Sequence, residues 1–267
     1  MKALALSGLL GLGIAFISAS GAATPPVPLT LVINGSGWVK VTDKARVECK
    51  KACKQTLLLK AGSKVAVIAK PTLAEPGVSW KLAPWTGACS GVGKCEVTMT
   101  SPSKVIVTFI APGEQANPIP LRHSWDVREG WALTVNSVAL NADAQVVASN
   151  PSGATLAQVP AGAQDVLISI LAGYKGGGSG GVELGLVGFI ETVGAHKTIY
   201  DTNTNPCPGS FWPSPMLGAT KDEQQVFSGQ SVTGNICYEI AANDASTLQM
   251  FVYDGENDSQ KVWFALS

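Results

Sequence analysis

The chain has 267 residues, 46% of them apolar and 14% charged, with 29 Gly, 16 Pro, six Cys and a formal net charge of zero. Charged residues run well below the globular norm of about 25%, which excludes a disordered polyelectrolyte, and the composition excludes a collagen and a uniformly basic nucleic-acid binder. Abundant Gly and Pro with few long charged runs favour short strands and many turns, so the expected fold class is all-β, in one or two domains.

Met1-Lys2 is followed by an apolar run from Ala3 to Ile17 and by the small residues Ser18 to Ala23. Charged, hydrophobic and small-residue segments in that order predict a secretory signal peptide over 1-23 with cleavage near Ala23. The run falls short of the 20 or so residues a bilayer needs, which argues against a membrane anchor, and no cysteine follows it for lipoprotein attachment. No later apolar stretch is long enough to span a membrane either, so the mature chain is expected outside the cytoplasm, secreted or periplasmic. All six cysteines lie in that mature part, and an even count in an exported chain predicts three disulfides. They fall into the groups Cys49/Cys53, Cys89/Cys95 and Cys207/Cys237. Pairing within each group keeps every bond inside one predicted domain; a zinc site from the first four is the rival, but Cys-x3-Cys and Cys-x5-Cys are not zinc-knuckle spacings.

Residues 24-112 carry 12 Lys/Arg against four Asp/Glu, a net of +8, whereas 113-267 carry six against 15, a net of −9. The neutral total therefore conceals a dipolar chain, and the Pro-bearing stretch 113-120 is the expected linker between a basic β-module over 24-112 and an acidic β-sandwich over 121-267. In the module, Leu29 to Ile33 and Trp38 to Thr42 flank Asn34-Gly35-Ser36-Gly37 and predict a hairpin. Strands are also predicted at Gln55 to Leu59, Lys64 to Ala69, Cys95 to Met99 and Lys104 to Phe109, the last two with Val97/Met99 and Val105/Val107/Phe109 on one face. Trp80 and Trp85 are the expected large core side chains. In the second part Gly130 to Leu140 alternates Trp131/Leu133/Val135 against Thr134/Asn136. Asp165 to Ala172 and Val182 to Ile190, read as a hairpin across a glycine-rich loop, follow, then Thr247 to Tyr253 and Lys261 to Leu266. This succession suggests a β-sandwich.

Two resemblances add to this reading. The run Gly37-Trp38-Val39-Lys40-Val41, the Cys49-x3-Cys53 pair, Ala61 to Pro71, and Pro84-Trp85-Thr86-Gly87-Ala88-Cys89-Ser90-Gly91 continuing to Cys95 and Val105 to Phe109 resemble the divergent internalin-type B-repeat of secreted bacterial proteins. That resemblance covers about residues 29 to 110. It implies an extracellular β-module with no catalytic residues, although Pro84 stands where the family usually has Gly and only one copy is present. Gly130-Trp131, the middle strands, Gly229 to Ile240 and Val262 to Leu266 resemble an immunoglobulin-like family of secreted bacterial proteins that includes the mycobacterial immunoprotective extracellular antigen. The implied fold there is an immunoglobulin-like β-sandwich; Cys207/Cys237 is not a hallmark carried over from it.

Several residues could carry chemistry. Lys44, Arg46, Lys50, Lys51, Lys54 and Lys60 place six cations in 17 residues around the first cysteine pair, a positive patch that reads as a solvated face, as a dock for the acidic half or as a site for an anionic envelope polymer. Phe211 and Trp212 could expose aromatic area for a sugar or protein partner, although capping the core beside the disulfide explains them as well. Asp254, Glu256 and Asp258 have oxygen-ligand spacing for calcium, but without the later bidentate Glu of an EF-hand a polar turn explains them as well. Gly177-Gly178-Ser179-Gly180-Gly181 formally matches Gly-x-Ser-x-Gly, yet no helix is predicted after it. The two histidines, His123 and His196, read as isolated solvent-facing imidazoles. No cofactor and no specific nucleic acid are expected. The functional expectation is a secreted, non-enzymatic binding protein at the cell surface or in the medium; a small hydrolase or metal-dependent enzyme on the sandwich, and a structural spacer, are the alternatives.

Overall fold

The computed structural model describes residues 24–149, 158–177, 188–207, 217, 226–254 and 260–267. Regular structure among them is nearly all β, with one short helix and a few 3-10 turns. In the first half β1 (Val27–Asn34) lies between β4 (Ala52–Leu59) and β11 (Ser103–Ile110), and β8 (Lys81–Leu82) and β9 (Thr86–Gly87) both pair with β11. The facing sheet has β10 (Cys95–Thr98), β5 (Lys64–Pro71), β2 (Gly37–Val41) and β3 (Arg46–Cys49) side by side in that order. Side chains alternate across a strand, so Leu29, Leu31 and Ile33 of β1, Val39 and Val41 of β2, and Val105, Val107 and Phe109 of β11 meet in one core. Each such side chain contributes about 1.5–3 kcal/mol by leaving water. Trp85 is buried in that core, with its indole N–H donating to the Gly93 carbonyl at 2.9 Å, whereas Trp80 is only partly buried.

The expected hairpin at 34-37 does not form. β1 pairs with β4 antiparallel and with β11 parallel, while β2 pairs with β3 and β5. Both strands need to bury one face in the same core, and they do so from opposite sheets, with Gly35 and Gly37 making the crossing. Gly35 has φ +86°, and a Cβ there would lie 2.3 Å from the Phe109 carbonyl oxygen.

In the second half β12 (Ser124–Asp126), β13 (Trp131–Ala139), β14 (Ala163–Tyr174) and β17 (Ser231–Ala241) form one antiparallel sheet. The other is β16 (Ile199–Tyr200), β15 (Ile190–Val193), β18 (Gln249–Asp254) and β19 (Gln260–Ala265), in that order. Trp131, Leu133, Ile168, Ile170 and Tyr238 from the first sheet share a core with Ile190, Met250, Val252 and Phe264 from the second, which makes a β-sandwich. The second expected hairpin also fails: β14 and β15 lie in different sheets. Residues 182-187 of that expected strand lie outside the described residues. Helix α1 (Asp143–Ala148) covers part of the outer face of β14, where Val146 packs on Leu167 and on the Cys207–Cys237 disulfide.

All three expected disulfides are present, Cys49–Cys53, Cys89–Cys95 and Cys207–Cys237, with Cα separations of 6.1, 5.6 and 5.6 Å. No cysteine is free, so thiolate zinc chemistry has no ligands. Segment 113-120 is bonded on both sides. Ile119 forms a parallel bridge to Phe264, and its N–H donates to the Trp263 carbonyl at 2.8 Å. The Asn117 amide donates to the Ser79 and Ile110 carbonyls, each at 3.1 Å. The ribbon β6 (Leu73–Glu75) and β7 (Val78–Ser79) then inserts Val78, 1% exposed, into the sandwich core, while His123 closes over Gly77. Among the described residues no helix is long and apolar enough to cross a membrane.

Candidate functional site

Because Val39 and Val41 point into the core, their neighbours Trp38 and Lys40 point out from the middle of the β10-β5-β2-β3 sheet. Register places Trp38 between Glu48 on β3 and Lys70 on β5, and Lys40 between Arg46 and Ile68. The Arg46 guanidinium lies 5.1 Å from the centroid of the Trp38 ring system and the Lys70 ammonium 5.9 Å, within cation–π range. The result is a groove of about 580 Å³ lined by Trp38, Arg46, Glu48, Lys50, Pro71 and Leu73. Leu73 is 69% exposed. Arg46 and Glu48 form an ion pair on the rim, and the Ser36 and Thr72 hydroxyls, 2.7 Å apart, fix the neighbouring wall.

The six expected cations do not make one flat patch. Arg46 belongs to this groove, and Lys50 and Lys51 occupy the turn between β3 and β4, where the Cys49–Cys53 bond ties the two sheets at their edges. Lys54 sits on the outer face of the other sheet, opposite Val32. There it lines a second groove, about 460 Å³, with Pro28, Thr30, Pro102 and Lys104. Lys44 follows β2 in a turn and Lys60 follows β4. The cations thus wrap one edge of the module from face to face. Among the described residues no carboxylate pairs with Lys44, Lys50, Lys51, Lys54 or Lys60. By contrast, Lys64 and Lys94 are held by Glu96, and their hydrogen bonds pull its carboxyl down to about 2.

Sequence reasoning placed Trp38 on a strand without marking it as a site, and it passed over Lys70 and Lys104. The available signal was the alternation itself: with Val39 and Val41 facing inward, Trp38, one position before Val39, falls on the opposite face of the strand. Phe211, Trp212, Ser179, Glu256 and Asp258 lie outside the described residues, while Asp254 ends β18 opposite Gln260. Among the described residues no group of three His, Cys, Asp or Glu side chains is arranged to hold a metal ion.

Neither histidine stands alone. His123 packs over Gly77, and His196, on the sandwich, presents Nδ1 to Asp244 Oδ1 at 2.5 Å. Asp244 is buried and also accepts from the Tyr200 hydroxyl at 2.8 Å. Burial pushes its carboxyl up, but the bonds from His196 and Tyr200 outweigh that and hold it below the ordinary range. Among the described residues no hydroxyl or thiol bonds the other ring nitrogen of His196. Asp165, on the outer face of β14, is 1% exposed with Oδ1 unpartnered. Burial, with Asp143 and Glu239 adding repulsion, pushes its carboxyl up to about 6.

Comparison with protein-family models, with characterised proteins and with solved structures finds no match.

Proposed function

We propose that this is an exported, non-enzymatic binding protein whose basic half holds an anionic cell-envelope polymer and whose acidic half presents a surface to an extracellular protein. The observation that carries the reading is the run of carboxylate-free cations, Lys50, Lys51 and Lys54, around the edge that joins the two grooves. An extended polyanion could contact both faces of the module by following that edge, with its charge matched at each step. The three disulfides are compatible with an oxidising compartment, and the apolar run over 3-17 supports export. An immunoglobulin-like sandwich is supported by connectivity: the chain passes from β14 to the opposite sheet for β15 and β16, returns for β17, and crosses again for β18 and β19. Its disulfide joins the 200s loop to β17 instead of bridging the sheets, a departure from the usual immunoglobulin pattern.

The test is co-sedimentation of the mature chain with envelopes of the producing organism at about 20 mM and about 500 mM salt. Binding at the lower value that is released at the higher supports the reading; no pelleting at either refutes it. The oriented His196–Asp244 pair favours a second reading, a hydrolase on the sandwich. That reading requires ester or amide turnover that His196→Ala abolishes.

A further inference from the structure

We infer that the Trp38 groove recognises an acidic polysaccharide, its sugar rings stacking on the indole while its carboxylates or sulfates meet the surrounding cations. This deepens the polyanion reading above and rests on it. Charge alone does not explain the groove. A site built only for a flexible polyanion needs cations and accessible backbone; it does not need a half-buried indole at its centre, an exposed Leu73 beside it and a carboxylate on its rim. Those three features have a common explanation in a pyranose ring. Its C–H face is apolar and flat, and it covers an aromatic ring at low conformational cost. Its hydroxyls donate hydrogen bonds, for which the Glu48 carboxylate, held in place by Arg46, is a strong acceptor. Toward a ring-free polyphosphate or polyglutamate the same Glu48 is only repulsive. The anionic substituents of an acidic sugar then find Arg46, Lys70 and Lys50, which border the indole from neighbouring strands and from the turn.

The placement of Trp38 also argues against a merely structural role. It is on the outer face of a sheet whose inner face is already filled by Val39 and Val41, both fully buried, so the core does not require it. The central strand position matters as well. With β3 on one side and β5 on the other, the indole is held by two paired strands, and stacking on it costs little further ordering.

The experiment is affinity electrophoresis of the full mature chain at low salt through gels containing alginate, polyphosphate, poly-L-glutamate or neutral dextran. The wild type is expected to be retarded by all three polyanions, most by alginate, and not by dextran. Trp38→Ala should weaken alginate binding by about tenfold and binding to the two ring-free polymers by less than about twofold, and Trp38→Phe should restore most of the alginate loss. The pair Arg46→Gln/Lys70→Gln should weaken all three. Thermal unfolding midpoints matched to wild type within about 2 °C exclude misfolding as the cause. Equal retardation by alginate and polyphosphate, unchanged in Trp38→Ala, would overturn the stacking inference and leave the polyanion reading standing. An equal loss toward every polymer in both Trp38 variants would also overturn it, since that is the behaviour of a structural residue. Retardation by none of the polyanions removes both readings together.

Discussion

Replacing Asp165 by Asn should stabilise the protein at neutral pH, although it removes a charge and adds nothing to the core. The Asp165 side chain is buried, its Oδ1 has no partner among the described residues, and Asp143 of α1 and Glu239 of β17 lie close enough to repel it. Its pKa rises from 3.8 to about 6. At roughly 1.4 kcal/mol per pH unit, holding the carboxylate ionised in the fold costs up to about 3 kcal/mol, and screening around the nearby acids reduces this toward about 1–2. The folded pKa is raised, so the proton favours the folded state: the stabilising contribution is fully present below about 3.8 and is lost as pH rises through about 6. Asp165→Asn keeps the shape without the titration. Urea unfolding of wild type and variant at pH 4, 5, 6, 7 and 8 measures the difference directly. The variant should exceed wild type by about 1–3 kcal/mol at pH 7 and 8, and the gap should narrow steadily below pH 6. A variant less stable than wild type at every pH, or a gap independent of pH, refutes the reasoning.

The His196–Asp244–Tyr200 cluster has the opposite sign. Asp244 is held below 3.8, so its contribution is present above that value and lost as pH falls through the lowered one; Asp244→Asn should remove that acid limb in pH-dependent thermal unfolding. Tyr200→Phe leaves a buried carboxylate oxygen without its donor and should cost about 1–3 kcal/mol by urea unfolding. Removing the Cys207–Cys237 bond as a double Ala variant should cost about 3–4 kcal/mol by the same assay, from the loop closed by a separation of 30 residues. At the junction, Gly77→Ala places a Cβ 2.3 Å from the His123 ring at φ +84°, so it should destabilise by about 1–3 kcal/mol, and His123→Ala in the same chain should recover part of that in a double-mutant cycle.

Most strands were legible because burial of one face imposes a period of two, and the inward sets Leu29/Leu31/Ile33, Val105/Val107/Phe109 and Trp131/Leu133/Val135 fall as the alternation requires. Pairing was less legible. Asn34-Gly35 and the glycines after β14 have hairpin chemistry, yet in each case the chain crosses to the opposite sheet, because two apolar faces can close a core only from opposite sides. Local turn propensity says that the chain reverses and does not say which edge it joins. The short edge strands β3, β12 and β16, with α1, were unread for a related reason: two to six residues carry too little pattern to stand out. The cationic cluster was visible as a run in the sequence, but its division between two faces depends on the β3–β4 turn. Lys50 and Arg46 reach the Trp38 groove, whereas Lys54 turns to the other sheet. Lys70 and Trp38, 32 positions apart in sequence, meet only through the β2–β5 register.

The central claim is that the cationic edge of the first half holds a polyanion, and its most direct measurement is the salt dependence of envelope binding by wild type and by Arg46→Gln/Lys50→Gln/Lys51→Gln/Lys54→Gln. Binding of wild type should weaken by at least about tenfold between about 50 mM and about 500 mM salt, and the quadruple variant should bind weakly throughout with a much flatter dependence. Equal affinities and equal salt slopes for the two proteins would contradict the account.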